Sequence, residues 1–194
     1  VDAATDSIAP HLREGALVIL ESTSPVGTTE AIASRLGAAR PDLIEARRFF
    51  TAHCPERVLP GKIIRELVDN DRVVGGIDDE SSQAARVFYE GFVQGQVLVT
   101  TARTAEMTKL VENSFRDVNI AFANELSLLC HRQGIDVWEL IGLANRHPRV
   151  NILSPGPGVG GHCIAVDPWF IISSDPENAK LLRTARDVNE SKKA

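Results

Sequence analysis

Ala16-Leu17-Val18-Ile19-Leu20-Glu21-Ser22-Thr23-Ser24-Pro25-Val26-Gly27-Thr28-Thr29-Glu30-Ala31-Ile32-Ala33-Ser34-Arg35-Leu36 decides the fold class. Its opening run of apolar residues has the pattern of a strand buried on both faces of a parallel sheet. A hydroxyl-rich turn follows, in which Thr28 or Thr29 is placed to cap a helix continuing through Leu36. Strand, turn and helix make an α/β crossover, and such turns lie at the carboxyl ends of strands, where open sheets hold ligands. Taken alone, the turn is also ordinary loop and cap chemistry.

The same alternation continues outward. Residues 48–53 read as a second strand that leads into the proline-punctuated turn Cys54-Pro55-Glu56-Arg57-Val58-Leu59-Pro60-Gly61. Residues 71–76 form a third strand, 80–92 a helix and 96–100 a fourth strand, an order that implies an open α/β sheet. No Gly-x-Gly-x-x-Gly follows a first strand, so a dinucleotide half-site, if the sheet has one, is expected before Val1. From Thr104 to Gln133 there is neither glycine nor proline, which predicts one helix about 45 Å long. It is apolar on more than one face, so it is expected to be buried centrally or shared between subunits. Lys109, Asn113 and Arg116 fall on one stripe of that helix. The stripe reads either as a solvated polar edge or as a site for an anionic ligand. Asp136 caps a further helix to Asn145, Arg146-His147-Pro148-Arg149 adds cations, and a last helix is expected over 177–190.

Between them lies Ser154-Pro155-Gly156-Pro157-Gly158-Val159-Gly160-Gly161-His162-Cys163-Ile164-Ala165-Val166-Asp167-Pro168. Four glycines and three prolines in fifteen residues exclude a regular helix or strand across the loop. Trp169-Phe170-Ile171-Ile172 anchors its end in a core. The loop presents either a nucleophilic thiol or a structural turn with an inert cysteine. Net charge of −5 without a basic run gives nucleic acid no electrostatic footing. No apolar run approaches a membrane span, and the acidic start is not that of a signal peptide. Three cysteines, far apart and unpaired by spacing, suit reduced thiols in a cytoplasmic protein and argue against a disulfide framework or a zinc site.

Four motifs occur here in order: Ser22-Thr23-Ser24-Pro25-Val26-Gly27-Thr28-Thr29, Cys54-Pro55-Glu56-Arg57, Thr104-Ala105-Glu106-Met107-Thr108-Lys109-Leu110-Val111-Glu112-Asn113 and Gly160-Gly161-His162-Cys163. Together they resemble the nucleotide-sugar 6-dehydrogenases, the family of UDP-glucose and GDP-mannose dehydrogenase, over nearly the whole chain. The resemblance implies an α/β fold: the second half of a Rossmann-like doubly wound sheet, followed by a mainly helical central domain with one long helix. Residues 1–103 correspond to the C-terminal part of the NAD-binding domain and 104–194 to the central dimerisation and catalytic domain. The family's dinucleotide fingerprint and its UDP-binding C-terminal domain are missing from the sequence.

The same resemblance implies oxidation of a sugar C6 hydroxyl to a carboxylate with NAD as cofactor, in a cytoplasmic homodimer acting on a UDP-sugar. Cys163 is implied as the nucleophile that carries the aldehyde as a thiohemiacetal and then a thioester. Lys109 is implied as general acid/base or oxyanion-stabilising cation, with Asn113 and Asp167 orienting oxyanion and water. Thr23 lies beside the nicotinamide. Glu56, Arg57, Val58, Lys109, Asn113, Arg116 and Gly160 line the sugar nucleotide, with His147 and Arg149 reaching across a dimer. Family members acting on UDP-glucose carry a glutamate at the place of Pro60 and a lysine at that of Val166. These departures favour a 2-acetamido sugar, UDP-N-acetyl-D-mannosamine, with UDP-N-acetyl-D-glucosamine the alternative. Two other readings stay open: a cysteine hydrolase or acyltransferase with His162 as the obvious histidine, and an inactive oligomerisation module.

Overall fold

The computed structural model describes residues 1–44, 49–58 and 61–192. Arg48, Leu59 and Pro60 lie outside the described residues. The chain divides into two compact units, Val1–Lys109 and Leu110–Ala194.

The first unit opens with helix α1 (Asp2–Ile8) and a 3₁₀ turn (Ala9–His11), then runs strand β1 (Ala16–Leu20), α2 (Thr28–Ala39), α3 (Pro41–Ile44), β2 (Phe49–His53), α4 (Ile63–Asp69), β3 (Arg72–Gly76), α5 (Asp79–Glu90) and β4 (Val97–Thr101). The strands lie in the order β1-β2-β3-β4. β1 with β2 and β3 with β4 are parallel, whereas β2 and β3 meet antiparallel through Ala52↔Gly76 and His53↔Gly75. The sheet is therefore mixed.

β1 shows how the sheet is covered. Ala16, Val18 and Leu20 pack with Leu12, Ile32 and Leu36 on the α2 face, whereas Leu17 and Ile19 pack with Val74, Ala85 and Tyr89 on the α5 face. Helices thus cover both faces, as the continuous apolar run predicted. The residues of β1 are nonetheless only half-buried, because among the described strands β1 pairs on one side alone. At the far end of β3 the backbone runs too close to its neighbours for side chains. A Cβ on Gly75 would strike the Thr101 carbonyl, and one on Gly76 the first turn of α5.

α2 starts differently from the sequence expectation. Gly27, at φ +97°, is its N-cap, and neither Thr28 nor Thr29 caps it through its side chain. The acceptor comes from far along the chain: the Glu106 carboxylate takes the N–H groups of Gly27 and Thr29. α5 follows the ordinary rule, with Asp78 accepting from the Ser81 N–H.

Helix α6 (Ala102–Gln133) starts in the first unit and continues into the second. The second unit then adds α7 (Val137–Ala144), α8 (Asp167–Ser174) and α9 (Lys180–Ser191). Asp136 caps α7 as predicted, accepting from Trp138 and Glu139 N–H. α9 begins later than expected, because Asp175 first holds the Asn178 side chain in a turn.

Candidate active site

In the second unit the glycine loop reaches Cys163 without regular structure and then winds into α8. Gly158 and Gly161 sit at φ +108° and +83°, a region that side chains strain to enter. The Cys163 carbonyl accepts from the N–H groups of Val166 and Asp167, at 3.0 and 2.9 Å. Those bonds fix the turn, and they leave the cysteine exposed. Pro168 lies in the first turn of α8, where its fixed φ is favourable and its missing N–H costs nothing. Asp167, the first residue of α8, is 4% exposed. Its Oδ2 accepts from Asn113 Nδ2 at 2.5 Å, and Asn113 is itself 5% exposed. An amide and a carboxylate are thus held together, buried, four residues from an exposed thiol. Lys109 stands half-buried on α6, one turn before Asn113.

Asn124, about two thirds of the way along α6, anchors the loop. Its Oδ1 accepts the Gly156 N–H and its Nδ2 donates to Asn189 of α9, both at 2.8 Å. Asn189 in turn donates to Asp117 Oδ1, which also receives Arg186 Nη1 at 2.7 Å. All four side chains are buried, and together they tie α6, α9 and the loop into one network. Asn145 similarly clamps the chain after α7, exchanging two hydrogen bonds with the backbone of Ile152. Arg116 and Gly160 are exposed. His147 and Arg149 are also exposed, and His147 Nδ1 accepts the Arg149 N–H.

In the first unit Thr23 is half-buried in the turn after β1. Glu56 follows β2, and its Oε1 accepts the N–H groups of both Arg57 and Val58. The buried Arg72 guanidinium lies 3.6 Å from Glu56 Oε1 and also stacks over the Tyr89 ring. Tyr89 donates to Glu21 at 2.7 Å. Glu56, Arg57 and Val58 are therefore one locally organised segment backed by Arg72. The sequence offered no signal for that arginine beyond its place at the start of a strand.

Residues 1–93 match the NAD binding domain of the UDP-glucose/GDP-mannose dehydrogenase family, and residues 103–191 match its central domain. The chain belongs to the UDP-glucose/GDP-mannose dehydrogenase family. It is similar to UDP-N-acetyl-D-mannosamine dehydrogenase of Escherichia coli (strain K12), at 63% identity over 99% of this chain and 47% of that protein. It is also similar to an NDP-N-acetyl-D-galactosaminuronic acid dehydrogenase of Ralstonia nicotianae, at 62% identity over the same shares. The solved UDP-D-ManNAc dehydrogenase of Pyrococcus horikoshii superposes with a TM-score of 0.91 at 49% identity, over 98% of this chain and 46% of that one. The chain spans about half the length of the curated relatives it matches.

NAD is the cofactor this family's first domain binds, and the residues present fit one end of it. The turn after β1 lies where α/β sheets take ligands, and the Thr23 hydroxyl can both donate to and accept from a carboxamide. The amino end of α2 is not open to a pyrophosphate, because Glu106 already occupies the N–H groups of Gly27 and Thr29.

Proposed function

We propose that the protein to which this chain belongs is an NAD-dependent UDP-sugar 6-dehydrogenase that oxidises UDP-N-acetyl-D-mannosamine to its uronate. The observation that carries the reading is the buried Asn113–Asp167 pair, fixed beside the turn that presents Cys163. In this reading residues 1–103 are the carboxyl-terminal part of the NAD-binding domain, and 104–194 form the central helical domain through which two copies dimerise. Free, widely separated cysteines agree with a cytoplasmic setting.

NAD, when bound at the Thr23 turn, supplies the acceptor for one hydride in each of two oxidations. Lys109 Nζ moves the proton at the C6 oxygen while that carbon loses its hydride and becomes an aldehyde. Cys163 Sγ then adds to the aldehyde carbon, and the oxygen gains a proton to give a thiohemiacetal. Loss of a second hydride and of that proton leaves a thioester. Water adds to the carbonyl, the Cys163 thiolate leaves, and the carboxylate is released. Asn113 faces the developing oxyanion with an N–H donor, and Asp167 holds the Asn113 amide in place and orients the water. Glu56, Arg57, Val58, Arg116 and Gly160 contact the sugar nucleotide, with His147 and Arg149 contributed across the dimer.

The relatives' names divide between manno and galacto substrates at nearly equal identity. The test is therefore NADH formation, in a protein of the relatives' full length, with UDP-N-acetyl-D-mannosamine beside its gluco and galacto epimers. Two NADH per manno substrate, at the highest kcat/KM of the three, is the expected result. Turnover of an ester or thioester without NAD would assign Cys163 to a hydrolase instead.

A further inference from the structure

Glu106 belongs to none of the roles assigned above, yet its buried carboxylate accepts three hydrogen bonds from a turn far away in sequence. It is 1% exposed. Its Oε2 accepts the Gly27 N–H at 2.6 Å, and its Oε1 accepts the Thr29 N–H at 2.7 Å and the Thr29 hydroxyl at 2.6 Å. These bonds join residues 77 and 79 positions apart. The turn it grips is already braced from within: Ser24 Oγ donates to the Ser22 carbonyl, and the Thr28 hydroxyl and N–H both donate to the Pro25 carbonyl. A braced turn moves as a body, so the carboxylate that holds its far end sets where Thr23 sits. Glu106 is also three residues before Lys109, on the same face of α6 and about 5 Å along its axis.

We propose that Glu106 is a positioning residue: its carboxylate fixes the turn bearing Thr23 against the turn of α6 bearing Lys109, and so sets the nicotinamide end of the cofactor against the lysine that moves the proton. This rests on the reading of Thr23 and Lys109 given above. The chemistry demands a carboxylate, because three donors converge on it and each oxygen must accept. In Glu106→Gln the amide oxygen can keep both Thr29 bonds, but its NH₂ then faces the Gly27 N–H, donor against donor. Thr29→Val removes one donor and leaves the other two in place.

Two measurements test the clamp. The first is amide hydrogen exchange on this chain. Gly27 and Thr29 should be protected in the wild type, and Glu106→Gln should release Gly27 while Thr29 stays protected. The second is kinetics in a protein of the relatives' full length, assayed well below its unfolding midpoint. Glu106→Gln should raise both the Kd and the KM for NAD about tenfold and lower kcat about tenfold, with the KM for the UDP-sugar unchanged. Thr29→Val should shift the same constants in the same direction by about threefold. A purely structural role would lower activity in step with the unfolded fraction and leave both KM values alone, and that result overturns the proposal. So does a folded Glu106→Gln protein with wild-type constants. Where Glu106→Gln does not fold, Thr29→Val decides: a raised KM for NAD supports the clamp and an unchanged one removes it. A wild type without NAD-dependent oxidation overturns the functional reading instead, and the clamp then stands or falls on the Gly27 exchange alone.

Discussion

Cys163 and Cys54 place the same thiol in opposite settings. Cys54 is fully buried, and burial pushes its thiol up against the smaller pull of the Tyr89 hydroxyl and the Arg72 charge. Cys163 is exposed on a fixed turn. Thiolates are the nucleophiles, so reactivity follows exposure and charge rather than the mere presence of sulfur. A Cys163→Ser variant in a protein of the relatives' full length is expected to bind the UDP-sugar and lose NADH production by orders of magnitude; wild-type turnover would remove the covalent mechanism. The glycine loop made Cys163 legible from sequence, whereas the surroundings of Cys54 depend on tertiary packing that no local pattern encodes. His53 was equally hidden. It is fully buried at the end of β2, and neither ring nitrogen makes a well-formed hydrogen bond among the described residues. Burial holds its pKa below the ordinary 6.5, outweighing the nearby Glu106 charge and Leu20 carbonyl, which both favour the proton. Below about pH 6.5 the unfolded chain takes up a proton that the folded chain refuses, so stability is complete above that pH and falls beneath it. Urea midpoints measured across that range should decline toward acid in the wild type, and the decline should be shallower in His53→Gln.

At the scale of elements, the apolar strands and the unbroken α6 were legible because their patterns are local. β1 matches the predicted strand residue for residue, and α6 begins two residues before the predicted start. The short helices α1, α3, α4 and α8 were not. α4 repeats its apolar residues at helical spacing, Ile63 with Leu67 and Ile64 with Val68, but over only two turns, and it buries none of them, with Ile64 79% exposed. α8 begins inside the stretch whose glycines and prolines argued against regular structure, and Pro168 sits in its first turn, where proline is a start signal as much as a stop. The α6–α9 contact was hidden behind asparagines. Asn124 and Asn189 are poor helix formers, and that mismatch was the available sign that their side chains bond elsewhere. The contact centres on Arg186 and Asp117, with side chains 0% and 1% exposed. Removing one member strands the other, so Arg186→Met should cost about 3 kcal/mol in urea unfolding. Asp117→Leu added to it should restore most of that, since no buried charge then remains. Equal destabilisation by the single and double variants would show that the pair acts through shape alone.

At the scale of the whole molecule, the long helix is where sequence and structure pose the same question. The sequence predicted a helix apolar on more than one face, either buried centrally or shared between subunits. In the structure Leu110, Ala121, Ala123 and Cys130 of α6 are buried, while Val111, Phe115, Phe122 and Leu129 are 45–68% exposed. Phe115, Phe122 and Leu129 recur every seven residues, which keeps them on one side of the helix. Trp138 and Leu143 of α7 add exposed apolar area, at 60% and 65%. Exposed apolar rows of this extent mark interaction surfaces, and a two-fold contact lets one row cover its own copy. This chain is therefore expected to sediment as a homodimer at micromolar concentration. Phe115→Glu with Phe122→Glu should yield a folded monomer, because paired like charges at the centre of an apolar contact cannot be desolvated. A wild-type chain that sediments as a monomer, with a circular dichroism spectrum showing the helices intact, would refute the dimer.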